Sequence, residues 1–207
     1  MKAIVYFGLA CLVSQGALAA PSSHVAWTPE TLRLVKSANA QHGQQLAATC
    51  AGCHNEASEF PNLEGQLATY LYKQLQDYKS GTRENAVMTP MTASLSDQDM
   101  ADLSLWYSQQ SPHAGKGGEE DLTRIVSKGD GQRMEPPCAV CHGGSGQGEK
   151  VDTPRLAGQK ASYLAQTLMA YKAGSRANDL YARMRLIAGK LSDQEIEQLS
   201  DYYAKLR

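Results

Sequence analysis

The sequence predicts an all-α protein made of two tandem copies of one small domain. Three observations carry this expectation. Helical periodicity and helix caps recur along the chain while strand signals are nearly absent. Several segments of the first half return in the second. One five-residue word occurs once per half, CAGCH over 50–54 and CAVCH over 138–142.

The repeat extends well beyond the words. Residues 163–176 (YLAQTLMAYKAGSR) match 70–83 (YLYKQLQDYKSGTR) at seven of 14 positions. The segment Pro154-Arg155-Leu156-Ala157-Gly158-Gln159 repeats Pro61-Asn62-Leu63-Glu64-Gly65-Gln66, and Leu191-Ser192-Asp193-Gln194 repeats Leu95-Ser96-Asp97-Gln98. Lys128-Gly129 precedes the second word as His42-Gly43 precedes the first. Matched residues lie 88 apart at Cys50 and Cys138, 93 at Gly65 and Gly158 and 96 at Leu95 and Leu191, so the second copy has gained short loop insertions. Duplication of one domain explains this pattern.

Read in order, the chain opens with a leader over 1–20: Lys2, an apolar run over 3–13, and an Ala17-Leu18-Ala19 cleavage pattern. This is a secretory signal peptide, too short for a membrane span. A lipoprotein reading through Cys11 fits poorly, because few apolar residues precede it and Gly8 stands where a larger aliphatic is usual. An extended stretch over 21–27 follows. Thr28 and Pro29 mark a helix start, and Leu32, Leu34, Val35 and then Leu46 lead up to the first word. Leu67, Leu71, Leu75 and Tyr78 form one helical stripe over 67–79, ended by Gly81. Residues 83–93, with Met88, Pro90 and Met91, read as irregular. Ser96 caps a helix with an acidic first turn that runs through Met100, Leu103 and Trp106 to about 109. The Gly- and polar-rich stretch 111–120 holds the linker, placed at 113–120, between a first domain over 21–112 and a second over 121–207.

Each CxxCH word reads as an attachment site for one covalently bound haem c. Residues at i, i+3 and i+4 share a helix face. Two thiols there can bond the two vinyl groups of a porphyrin, and the adjacent histidine can ligate its iron. The bonds would come from Cys50, Cys53, Cys138 and Cys141, and the first axial ligands from His54 and His142. Zinc ribbons place their cysteine pairs ~15–20 residues apart, much closer than Cys53 and Cys138. Cys11 leaves with the leader, so the four word cysteines account for the remaining thiols. Loss of Lys2 leaves 19 basic against 21 acidic residues, with no basic run that would suit nucleic acid. Only two Phe and two Trp occur, a thin core that two porphyrins would complete.

A matched methionine supplies the second axial ligand. Met88 lies seven residues before Leu95, and Met184 seven before Leu191. Met91 competes with Met88 but has no counterpart. Met100, Met134 and Met169 read as packed core side chains. His24, His42 and His113 do not pair across the repeat and read as solvated. Arg83 and Arg176 recur after a glycine, as haem-propionate contacts or as charges at a helix C-terminus. Tyr70 and Tyr163 read as packing on a helix face.

With these words, repeats and methionines, the chain resembles the dihaem cytochrome c4 family over roughly 42–206. The resemblance implies two class I cytochrome c domains related by a pseudo-twofold axis, with haems close together across the interface and His/Met ligation: His54 with Met88, His142 with Met184. It implies a periplasmic electron carrier rather than an enzyme. Its partners would be donors of the quinol–cytochrome c reductase type and a terminal oxidase or dehydrogenase, with peripheral membrane association as a further option. The rivals are a dedicated electron acceptor of a partner enzyme, such as a thiosulfate dehydrogenase, and a dihaem enzyme such as a peroxidase. Two departures stand out. Asn55 replaces the glycine expected after the first haem histidine, where the second half keeps Gly143, and the loop from His54 to Gly65 is shorter than that from His142 to Gly158. The first haem is therefore expected to be differently exposed.

Overall fold

A computed structural model describes residues 22–115, 123–149 and 151–206. The leader with Cys11, and the linker beyond residue 115, lie outside the described residues. The described chain forms helices α1 (Pro29–Lys36), α2 (Ala40–Cys50), α3 (Ala68–Lys79), α4 (Met88–Ala93), α5 (Asp97–Ser108), α6 (Thr123–Lys128), α7 (Cys138–His142), α8 (Ala161–Ala173), a 3-10 turn over Leu180–Ala182, α9 (Arg183–Ala188) and α10 (Asp193–Lys205). Among the described residues β structure is limited to isolated bridges, Asp130 with Glu135 and Glu149 with Thr153.

The helices begin where the sequence places caps. Thr28 Oγ1 accepts from the Thr31 amide, and Pro29 opens α1. Ser96 and Ser192 each form a capping box, with Asp99 and Glu195 respectively. Each such cap stabilises its helix by about 0.5–2 kcal/mol.

The pairing of α5 with α3 in the first half recurs as that of α10 with α8 in the second. In the first, α5 lies across α2 and α3, burying Val35, Tyr72, Met100 and Ala101 on one side and Ala47, Leu71, Leu103 and Tyr107 on the other. In the second, α10 lies across α8, burying Leu164, Leu191, Ile196, Leu199 and Tyr203. Details recur at matched positions. Ser104 Oγ bonds to the Met100 carbonyl and Ser200 Oγ to that of Ile196. Lys79 Nζ holds the Leu95 carbonyl at 2.5 Å, and Lys172 Nζ that of Leu191 at 2.7 Å. Helix α1 packs on α3 and α5, with Trp27 tilted against Tyr72 at 6.5 Å.

Two expectations change. Residues 88–93 are helical rather than irregular, because Asn85 Oδ1 accepts from the Val87 and Met88 amides and starts a short helix. Met134 is not a core residue. It is 81% exposed with φ 52°, in the tight turn closed by the Asp130–Glu135 bridge. Met100 is fully buried, and Met169 packs at the edge of the second core.

Candidate haem sites

The two words differ in backbone but converge in geometry. The first begins as the last residue of α2 and continues as a turn, in which the Cys53 and His54 amides both bond to the Cys50 carbonyl at 3.1 and 2.9 Å. The second is itself the one-turn helix α7. After His142 the chain turns through Gly143 at φ 81°, a region open to glycine. Asn55 is not among the residues with positive φ. Its Nδ2 instead caps the carbonyls of Ala51 and Gly52, which is why the first word tolerates an asparagine there.

Both histidines are oriented by the same bond. His54 Nδ1 lies 2.9 Å from the Pro61 carbonyl, and His142 Nδ1 lies 2.9 Å from that of Pro154. A carbonyl only accepts, so Nδ1 carries the proton and Nε2 keeps its lone pair. Burial lowers both imidazole pKa values, although these carbonyls oppose it, so each ring is held neutral, as a metal ligand requires. His142 is 7% exposed, while His54 is half-buried beside Phe60. Met88 is the first residue of α4, which packs on α3, and Met184 lies in α9, which packs on α8.

One tyrosine in each half, missed by sequence reasoning, lies at each site. The hydroxyls of Tyr107 and Tyr203 are buried without a hydrogen-bond partner of good geometry, and they lie beside the first thiols of the words, Cys50 and Cys138. The backbone carbonyls of the same tyrosines hold Gly65 and Gly158 at 2.9 and 3.0 Å. Their recurrence, 96 residues apart, was the available signal.

The repeated Pro-x-Leu-x-Gly-Gln segments fasten the two halves reciprocally. Gln159 Oε1 accepts from the Asn62 amide and Nε2 donates to the Asn62 carbonyl, both at 2.9 Å. Gln66 does the same to Arg155, at 2.8 and 3.0 Å. The chain leaving the first half runs through this seam. Gly65 and Gly158 have φ of 68° and 72°, and a Cβ would come 2.5 Å from Pro112 Cβ at Gly65 and 1.8 Å from the His113 carbonyl at Gly158. Neither position has room for a side chain.

A family model described as cytochrome c matches residues 40–110 and 128–207. Cytochrome c4 of Azotobacter vinelandii is 38% identical, over 79% of this chain and 87% of that protein. A protein of Stutzerimonas stutzeri named thiosulfate dehydrogenase electron acceptor is 35% identical, over 84% of this chain and 91% of its own. The crystal structure of reduced recombinant cytochrome c4 from Pseudomonas stutzeri matches with a TM-score of 0.78 at 35% identity, covering 83% of this chain and all of that one. The chain belongs to the cytochrome c4 family. The chain carries two covalently bound haem c groups and acts in electron transfer.

The residues present fit such groups. Besides the orphaned Tyr107 and Tyr203 hydroxyls, the seam between the halves has an excess of positive charge. Lys73 Nζ binds Asp77 there at 2.7 Å, while Arg83 and Arg176 both donate to Gln74 Oε1, at 2.9 and 3.0 Å. Burial alone would push the Tyr163 hydroxyl up, yet Arg83 and Arg176 bring it down to about 7. Haem propionates are anions of the kind that guanidinium groups such as Arg83 and Arg176 would bind.

Several expected roles change here. Arg83 and Arg176 do more than place a charge at a helix end: Arg83 donates to the Tyr163 hydroxyl at 3.3 Å and Arg176 to that of Tyr70 at 3.2 Å, each reaching the opposite half. Tyr70 and Tyr163 are therefore polar acceptors rather than plain packing. Each guanidinium also stacks on a tyrosine of its own half at 4.6 Å, Arg83 on Tyr78 and Arg176 on Tyr171. His42 is not freely solvated. Its Nδ1 lies 2.8 Å from the buried Asp102, where α2 crosses α5. His113 lies 3.3 Å from Glu64.

Proposed function

We propose that this protein is exported to the periplasm and carries electrons between a respiratory or dehydrogenase donor and a terminal acceptor, without catalysis of its own. Cys50 and Cys53 hold one haem by thioether bonds, Cys138 and Cys141 the other. His54 with Met88, and His142 with Met184, are the axial pairs. The observation that carries this reading is the matched bond from each word histidine to a proline carbonyl, which aims a free Nε2 out of each word. Met88 is half-buried whereas Met91 is 43% exposed, which supports Met88 as the ligand in the first half. The leader over 1–20 supports export. No helix among the described residues is long and apolar enough to cross a membrane.

Haem iron with two strong axial ligands supplies reversible one-electron transfer without an open site for substrate. The chain's part is to fix the histidines through Pro61 and Pro154, to bury them, and to hold a cationic seam between the halves. Optical spectra of the purified haem-loaded protein test the reading. Both haems should show the low-spin signature of His/Met ligation in both oxidation states, with no change on adding cyanide at modest concentration. A five-coordinate high-spin haem would overturn it.

A second reading is favoured by the Stutzerimonas stutzeri relative named as an electron acceptor of thiosulfate dehydrogenase. This chain would then accept electrons from one dedicated dehydrogenase. Reduction rates measured with a thiosulfate dehydrogenase and with a quinol–cytochrome c reductase separate the two: strong preference for the former supports the dedicated role.

A further inference from the structure

Each word histidine is linked to the opposite half through a single peptide group. The carbonyl of the Pro61–Asn62 peptide accepts from His54 Nδ1, and the N–H of that same peptide donates to Gln159 Oε1. In the mirror arrangement the Pro154–Arg155 peptide accepts from His142 Nδ1 and donates to Gln66 Oε1. Both glutamines are buried, 6% exposed at Gln66 and 8% at Gln159. Each Oε1 is held in place by the next residue's amide, Leu67 at 3.0 Å and Lys160 at 2.9 Å. Asn62 Nδ2 adds a bond to the Gly158 carbonyl at 3.0 Å.

The peptide is one conjugated unit. An acceptor on its N–H polarises it and makes its carbonyl a better acceptor, by about 10–30% per bond in such chains. A better acceptor at Nδ1 makes the imidazole a more basic ligand at Nε2, and a more basic ligand favours the ferric state. We propose that Gln159 and Gln66 are positioning residues acting crosswise: Gln159 lowers the potential of the haem bound at His54, and Gln66 that of the haem bound at His142. The proposal rests on His54 and His142 being the iron ligands.

The test uses haem-loaded full-length protein with Gln159→Met, Gln66→Met and Gln159→Glu. Midpoint potentials come from a spectroelectrochemical titration followed by proton NMR, with each haem assigned through contacts to the His54 or His142 Nδ1–H in the reduced protein. Gln159→Met should raise the midpoint of the His54 haem, move the His54 Nδ1–H resonance upfield and leave the His142 signals in place. Gln66→Met should do the mirror image. Gln159→Glu, which as a protonated carboxyl keeps both the acceptor for the Asn62 amide and a donor for the Asn62 carbonyl, should leave the His54 midpoint closer to the unsubstituted value than Gln159→Met does. A shift confined to the variant's own half, an equal shift of both haems, or none overturns the proposal. If a Met variant fails to fold, the other two decide. Absence of a His-ligated low-spin spectrum in the unsubstituted protein would defeat the ligand assignment instead, and is read before any titration.

Discussion

The Lys160 ammonium of the second half lies 2.6 Å from the carbonyl oxygen of Asn55, the residue that follows the first haem histidine. It also binds the Ser58 carbonyl at 2.5 Å. The matched position in the first half is Leu67, so the second word has no such cation. Lys160→Met leaves two carbonyls without their donor, at about 1–3 kcal/mol. Amide exchange over 55–60 should speed up. Because a nearby cation favours the ferrous state, the midpoint of the His54 haem should fall, with Lys160→Arg restoring it. An unchanged midpoint would show that the charge is not felt at the iron.

Removal of Lys73 should be costly. Its Nζ bridges Asp77 at 2.7 Å and the Asn178 carbonyl at 2.6 Å across the seam, and Asp77 is fully buried. Lys73→Met leaves that carboxylate without its cation, a loss of about 3–5 kcal/mol. Urea denaturation of the haem-loaded protein measures it. Adding Asp77→Asn should recover most of the loss.

The last helix should be sensitive to acid. Arg133 forks onto Glu195 at 2.8 and 3.0 Å, and with the Ser192 bonds of the capping box it holds the Glu195 carboxyl at about 2, below its ordinary 4.5. A depressed folded-state pKa means that the unfolded chain binds more protons in this window. The stabilisation is therefore complete above about pH 4.5 and lost as the pH falls toward 2. Acid titration followed by circular dichroism should show a steeper loss than in Arg133→Met, which lacks the fork. Parallel curves would remove Glu195 from the account.

Met184→Ala should open the second iron and lower its midpoint, and Met88→Ala should do the same at the first. Met91→Leu should leave both spectra unchanged. A spectral change in Met91→Leu, with none in Met88→Ala, would transfer the ligand role to Met91.

Helices, caps and word positions were legible because each depends on neighbours within a few residues: Thr28 on Thr31, Ser96 on Asp99, Ser192 on Glu195. The short helix at Met88 was missed because Asn85 starts it from inside a stretch containing Pro90. The repeat revealed that Gln66, Gln159, Arg83 and Arg176 mattered, but not what they touch. Their partners lie 80 to 106 residues away, in the other copy. A pattern seen twice invites one role for each copy within its own half, and that is where the helix-end reading of the arginines and the packing reading of the tyrosines fell short. His42 was misread for a similar reason, since Asp102 reaches it only through the crossing of α2 and α5.

Contacts in which residue i of one half meets residue j of the other, and j meets i in return, are what two identical chains make around a twofold axis. The glutamine clamps and the crossed arginine–tyrosine pairs have this form. A free dimer built on such contacts would come apart on dilution, stranding single redox centres. Joining the copies end to end turns that association into an intramolecular event, with an effective concentration in the millimolar range for a short tether. One centre therefore always has the other as its neighbour, however scarce the protein becomes.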